Sequence, residues 1–162
     1  MQLWPMFQAL ALIAVANATP VFAKKLLGTR WAWPLDGGAA FVDGQPLFGA
    51  SKTVRGIVLA VAVTALAAPL IGVAAGTGAL IGAAAMAGDL CSSFAKRRMN
   101  RPPSSRALGL DQLPESFFPL LAARDALGLT AIDIALDLVL FLIGEILLSR
   151  LLYRMHLRDR PY

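Results

Sequence analysis

An aspartate is costly inside an apolar helix, and Asp89 stands in one. It follows a run of small and apolar residues that begins at Ala79. Insertion of an aspartate at the centre of a spanning helix costs roughly 2.5–3.5 kcal/mol, and less towards the interface. At helical spacing Asp89, Ser92, Ser93 and Lys96 fall at i, i+3, i+4 and i+7, so they share one face. The stripe offers a carboxylate, two hydroxyls and an ammonium. A hard cation such as Mg2+ takes oxygen ligands, commonly one or two carboxylates plus substrate phosphates. The stripe therefore suits a metal-bound polyphosphate. The plainer alternative is an interfacial helix end whose aspartate reaches back to water.

Two further groups carry chemistry. The basic loop after the stripe holds Lys96, Arg97, Arg98, Arg101 and Arg106 and ends at Asp111. Asp111 precedes Gln112, Leu113, Pro114 and Glu115, which is the pattern of a helix N-cap with proline at the start. The cap is the reading its local pattern favours, although a carboxylate can both cap and coordinate a metal. The other group is the segment from Phe48 to Gly56. Its Lys52, Thr53 and Arg55 stand at the start of an apolar run, where free N–H groups and the helix dipole favour anions. The pattern Gly-x4-Gly-Lys-[Ser/Thr] is absent, so a Walker-type ATPase is not supported. A basic flank of a membrane helix is the alternative here.

The elements that must position these groups are membrane helices. The 162 residues are 57% hydrophobic and 15% charged, and the mean hydropathy is +0.65. An ordinary soluble domain has about 25% charged residues. The net charge of +5 points to anionic headgroups and phosphates as partners rather than to nucleic acid. One cysteine, Cys91, and one histidine, His156, exclude an intrachain disulfide and a Cys/His zinc site.

Five apolar runs read as spans of one all-α integral membrane domain covering residues 1–162: Leu3–Ala23, Val54–Ala75, and about Ala79–Phe94, Leu113–Ala126 and Ala131–Leu152. The first lacks the basic n-region of a signal peptide and reads as a retained helix. Pro69 is expected to kink the second run, and Gly76-Thr77-Gly78 to make the turn after it. Small residues four apart, Gly72/Gly76 and Gly78/Gly82, suit a tight helical hairpin. Residues 24–53 and 95–112 are the two long loops. Residues 24–55 carry five Lys/Arg, 95–112 five and 150–162 four, against Arg124 alone on the other side. The positive-inside rule then puts both long loops and the C-terminus in the cytoplasm and the N-terminus outside. Arg124 is expected to pair with Asp133 or Asp137 near the outer turn, with a proton or ion path as the alternative. Glu145 has no evident partner.

Taken together, the blocks resemble the CDP-archaeol synthase family, membrane enzymes similar to phosphatidate cytidylyltransferases. The resemblance rests on Ala16-Asn17-Ala18-Thr19-Pro20, Pro34-Leu35-Asp36-Gly37-Gly38, and Asp43-Gly44 with Pro46-Leu47-Phe48-Gly49. It continues through Ser51-Lys52-Thr53-Val54-Arg55-Gly56, Gly88-Asp89-Leu90 with Ser93-Phe94 and Lys96-Arg97-Arg98, and Leu110-Asp111-Gln112-Leu113. Ala50 stands where the family often has an acidic residue. The resemblance implies transfer of CMP from CTP to a membrane lipid phosphate, giving CDP-lipid and pyrophosphate. It implies Mg2+ on Asp89 and Asp111, phosphate neutralisation by Lys52, Arg55, Lys96 and Arg97, and hydrogen bonds from Thr53 and Ser93. Asn17 would hold the nucleotide or shape its pocket. CTP, the lipid phosphate and membrane lipids are the implied partners, and a homodimer is compatible with the pattern. The competing readings are a non-enzymatic membrane scaffold or small transporter, and a CTP-dependent lipid kinase.

Overall fold

The computed structural model describes residues 2–102, 105, 107 and 109–154, with residues 148–154 described by their backbone alone. Arg106, His156 and most of the basic tail lie outside the described residues. Within them the chain is helical: α1 (Leu3–Leu27), α2 (Val54–Ala67) with a 3-10 turn (Ala68–Ile71), α3 (Ala75–Arg98), α4 (Gln112–Ala122), α5 (Arg124–Leu127) and α6 (Ala131–Arg154). Two isolated bridges, Pro34 with Thr53 and Ala40 with Pro46, are the extended pairings among the described residues.

α1 runs past its expected end at Ala23, through Pro20, Lys24 and Lys25. The Thr19 hydroxyl donates back to the Val15 carbonyl at 2.7 Å. The Pro20 ring lies against Gly56, where an added Cβ would stand 3.4 Å from it. Two lysines in the last turn complement the negative end of the helix dipole. The first long loop is therefore shorter than the sequence suggests.

The turn expected at Gly76–Gly78 lies earlier. Pro69 tightens the end of α2 into the 3-10 segment, and Gly72 ends it with φ 78, a left-handed conformation that favours glycine. Residues 76–78 belong to α3. Their small size serves packing: a Cβ on Gly78 would meet the Ala68 Cβ at 2.5 Å and the Thr64 carbonyl at 2.7 Å. One on Gly82 would stand 3.0 Å from the Val61 Cα. Glycines on α3 thus let α2 and α3 approach closely, as the small-residue spacing predicts. α3 also continues four residues past Phe94, so Lys96, Arg97 and Arg98 are helical. The single fourth helix expected from Leu113 to Ala126 is divided at Ala123, four residues after Pro119.

α1, α2 with its 3-10 turn, and α3 are long and apolar enough to cross a bilayer. Their outer faces carry exposed Val58, Leu66, Leu70 and Leu80, as lipid-facing surfaces do. The 11 residues of α4 cover ~16 Å at 1.5 Å per residue, about half of a ~30 Å hydrocarbon core. α1, α2 and α3 pack on one another, α4 packs on α3, and α6 packs on α4. Met6, Leu12, Ile13, Ile81, Leu120 and Ile134 fill the larger core cluster. Ala16, Ala60, Ala85 and Met86 form a second cluster of mainly small residues where α1, α2 and α3 meet.

The two ends of the bundle differ in chemistry. At one end the Gln2 N–H donates to Asp133 Oδ1 at 3.2 Å, and the Thr130 N–H and hydroxyl donate to Asp133 Oδ2 at 3.1 and 2.7 Å. The Thr130 hydroxyl in turn accepts the Asp133 N–H at 3.2 Å, so Asp133 completes a reciprocal capping box at the start of α6 instead of pairing with Arg124, which is exposed on α5. Asp137 is fully buried and its carboxylate oxygens have no hydrogen-bond partner. The basic residues gather at the opposite end.

Candidate active site

Lys52 is delivered by the loop between α1 and α2. The Leu35 N–H donates to the Lys52 carbonyl at 2.8 Å and the Val54 N–H to the Trp33 carbonyl at 3.1 Å, closing the loop at its base. Asp36 ties its middle: Oδ2 accepts the N–H groups of Phe48 and Gly49 at 3.0 and 2.9 Å, and Oδ1 that of Gly38 at 3.1 Å. Burial alone would push the Asp36 carboxyl up, but these backbone donors outweigh it and hold its pKa below the usual aspartate value. Lys52 Nζ then meets both oxygens of Asp89 at 2.5 Å. Both side chains keep 21% of their surface exposed, so the pair remains open to solutes.

A second pair stands further along α3. Lys96 Nζ lies 2.6 Å from Asp111 Oδ1 and donates to the Ser105 carbonyl at 3.0 Å. Asp111 Oδ2 accepts the Ala107 N–H at 2.8 Å. Asp111 makes no side-chain capping bond to α4; it fastens the second loop to α3. Asp89 and Asp111 thus engage different lysines, and Lys96 stands seven residues, or ~10 Å of helix rise, beyond Asp89.

Arg97 is only 3% exposed. Its Nη2 donates to the Pro102 carbonyl at 2.7 Å, while Nε and Nη1 have no partner. A buried guanidinium with two idle donor nitrogens is primed for an oxyanion. Asn17 on α1 also has a buried amide nitrogen without a partner. Ser92 donates back to the Asp89 carbonyl at 3.0 Å, and Ser93 is buried beside it. Thr53 caps α2 by accepting the Gly56 N–H at 3.1 Å. Arg55 is turned away from the stripe: it donates to the carbonyls of Gly28, at 3.2 Å, and of Arg30.

One carboxylate escaped the sequence reading. Glu115 looks like a first-turn helix residue, yet its side chain lies within hydrogen-bond reach of Asp89, with Lys52 and Glu145 in its electrostatic surroundings. The cause is the crossing of α3 and α4. A Cβ on Gly88 would collide with the Pro114 carbonyl, so the missing side chain lets the first turn of α4 press against α3. Among the described residues no group of three or more Asp, Glu, His or Cys could hold a metal. The Asp89–Glu115 contact nevertheless supplies the two hard carboxylates that Mg2+ takes when phosphates complete its shell. The donors fit such an ion. An apolar groove of about 270 Å³ at the start of α2, on the side to which Arg55 turns, is lined by Leu27, Trp31, Trp33, Val58 and Leu59, among others.

With this geometry in view, the relatives are informative. The CarS-like family, described as CDP-archaeol synthase, matches residues 69–162. The CDP-archaeol synthase of Thermofilum pendens is 34% identical over 157 residues, 91% of this chain and 76% of that protein. The one from Pyrobaculum aerophilum is 35% identical over 118 residues, so the match spans 68% of this chain and 65% of that protein, just under two thirds of its length. A solved structure described as an intramembrane enzyme for archaeal membrane lipids biosynthesis superposes with a TM-score of 0.75 at 27% identity, covering 88% of this chain and 90% of that one. Sequence, membrane architecture and fold agree: the chain belongs to the CDP-archaeol synthase family of membrane enzymes.

Proposed function

We propose that the chain transfers CMP from CTP to a membrane lipid phosphate, releasing pyrophosphate and forming a CDP-lipid for lipid biosynthesis. A lipid phosphate of the archaeol type is the substrate suggested by its relatives' names. The observation that carries the reading is the pairing of Lys52 with Asp89 on α3, whose basic end further along also carries buried Arg97 and the Lys96–Asp111 pair.

The nucleophile needs no base, because a phosphate monoester is already an anion. A lone pair on its oxygen forms the new bond to the α-phosphorus of CTP. The bond from that phosphorus to the bridging oxygen breaks, and its electron pair leaves on pyrophosphate. Such transfers are governed by positioning and charge neutralisation. Lys52 and Lys96 turn from their carboxylates towards phosphate oxygens, and Arg97 adds its idle nitrogens. Arg55 adds its charge to the entrance from its place on the loop base. Thr53 and Ser93 offer hydroxyl donors, and the Asn17 amide holds the nucleotide. Asp89 with Glu115, and Asp111 beyond them, would hold Mg2+. When bound, this ion supplies charge neutralisation to the phosphates and the leaving group. The lipid tail enters sideways along the groove lined by Trp31 and Trp33. The charge distribution supports a cytoplasmic site with the N-terminus outside. Five passes require the short α4 and α5 together with α6 to complete the three helices that are long and apolar enough to cross, and a homodimer is part of the same proposal.

The test is purified chain with Mg2+, CTP, and ether-isoprenoid or ester-acyl lipid phosphates. CDP-lipid and pyrophosphate are the expected products. Asp89→Asn and Glu115→Gln should each lower the rate by about 100-fold or more with the thermal midpoint retained. Full activity in Asp89→Asn would sink the metal assignment. Phospholipid with free CDP would indicate a lipid kinase. No product and no stabilisation by CTP would indicate a scaffold or transporter.

A further inference from the structure

We propose that Arg98 is a positioning residue: it clamps the hairpin 39–47 onto the end of α3 and thereby keeps Lys52 in register with Asp89. The inference rests on the role given to Lys52 above. The hairpin is closed by the bridge of Ala40 with Pro46 and by the Phe41 N–H on the Gln45 carbonyl at 2.8 Å. Arg98 reaches into it from the last turn of α3. Its Nη1 donates to Asp43 Oδ1 at 2.7 Å, and its Nη2 donates to the Pro46 and Gln45 carbonyls at 2.8 and 3.2 Å. The guanidinium carbon lies 4.8 Å from the ring centroids of both Phe41 and Phe94. Those rings meet edge to face at 5.4 Å, one from the loop and one from α3. A planar cation with a fixed donor fork fits this slot, and an ammonium does not reproduce it.

Lys52 follows Pro46 by six residues, and the chain between them has little freedom. Phe48 and Gly49 are tied to Asp36, and the Lys52 N–H donates to the Gly49 carbonyl at 3.1 Å. The Asp36 bonds close the loop on itself but do not attach it to α3. Lys52 to Asp89 and Arg98 to the hairpin are polar links that do. The first must open when phosphates draw Lys52 away. The Arg98 clamp remains in place at that moment, so the lysine moves by its own side chain while its backbone stays put.

The test labels lysines with an acetylating ester and reads each site by peptide mass, without turnover. In Arg98→Gln, Lys52 should acetylate several-fold faster than in the parent, while Lys96, buried on α3, keeps its rate. Arg98→Lys should behave like Arg98→Gln, because the fork and the flat stack are lost. In the assay, the KM for CTP should rise roughly 10-fold with the KM for lipid phosphate unchanged. Unchanged Lys52 labelling in Arg98→Gln, or full protection restored by Arg98→Lys, would overturn the clamp. Parallel acceleration at Lys96 would do the same, by revealing general unfolding. If Arg98→Gln does not fold, Asp43→Asn removes only the exposed ionic leg and should give a smaller rise at Lys52; no rise there overturns the proposal. Labelling is independent of CTP, so loss of the transferase reading would show in the assay alone.

Discussion

At the scale of single residues, Asp36 is a structural carboxylate that the chemistry depends on indirectly. Its folded pKa is depressed by backbone donors, so its contribution to stability is present above the unfolded value and is lost as pH falls through the folded one. Asp36→Asn should therefore lower the thermal midpoint at neutral pH, and the gap from the parent should close below about pH 4, near the unfolded aspartate value. A gap that persists unchanged at lower pH would show that the carboxylate charge is not what holds Phe48 and Gly49. Asp89 was legible in the sequence because an aspartate in a run of small apolar residues has few bland explanations. Asp111 was legible as a candidate, but its local pattern suggested a cap that it does not make. Glu115 was not legible, because its contact with Asp89 depends on how two helices cross. Arg98 was hidden among its basic neighbours, since nothing local distinguishes a cation facing water from one held between two aromatic rings.

At the scale of elements, the crossing of α3 and α4 at Gly88 determines which carboxylates meet. Gly88→Ala would drive a methyl group into the Pro114 backbone. It should destabilise the fold by about 1–3 kcal/mol and reduce transferase activity by separating Glu115 from Asp89. Gly144→Ala is the control, since a Cβ there meets nothing within 4 Å. Equal melting shifts in the two variants would remove the crossing from the account. The Gly-Thr-Gly stretch at 76–78 shows why helix boundaries were only partly legible. Glycine marks turns and close helix contacts alike, and only the neighbouring helix decides between them. Likewise, the lysines after Ala23 mark the edge of the apolar run but not the end of α1, because a helix can carry charge beyond the hydrocarbon.

At the scale of the whole molecule, the bundle separates its polar chemistry by end: the Asp133 cap and Gln2 at one, the lysine and arginine groups at the other. In a Cys91→Ser background, a cysteine at Ser51 should react with an impermeant maleimide from the cytoplasmic face, and one at Asp125 from the opposite face. Reaction of both from one face would overturn the proposed orientation. The membrane class was legible from composition, because apolar content needs no knowledge of packing. The shortness of the fourth helix was legible from Pro114 and Pro119, but its division at Ala123 was not, since nothing local separates α4 from α5 until their partners are known.

The lysine–carboxylate pairs have a consequence for the end of the reaction cycle. Pyrophosphate is a polyanion, and a permanently vacant cluster of cations would retain it and slow the enzyme by its own product. Here Asp89 and Asp111 stand as internal rivals for Lys52 and Lys96. In the proposed cycle each departing phosphate is replaced by a tethered carboxylate that cannot diffuse away. Product inhibition is thereby weakened, and the same contacts that delay entry of the nucleotide hasten the exit of what remains of it.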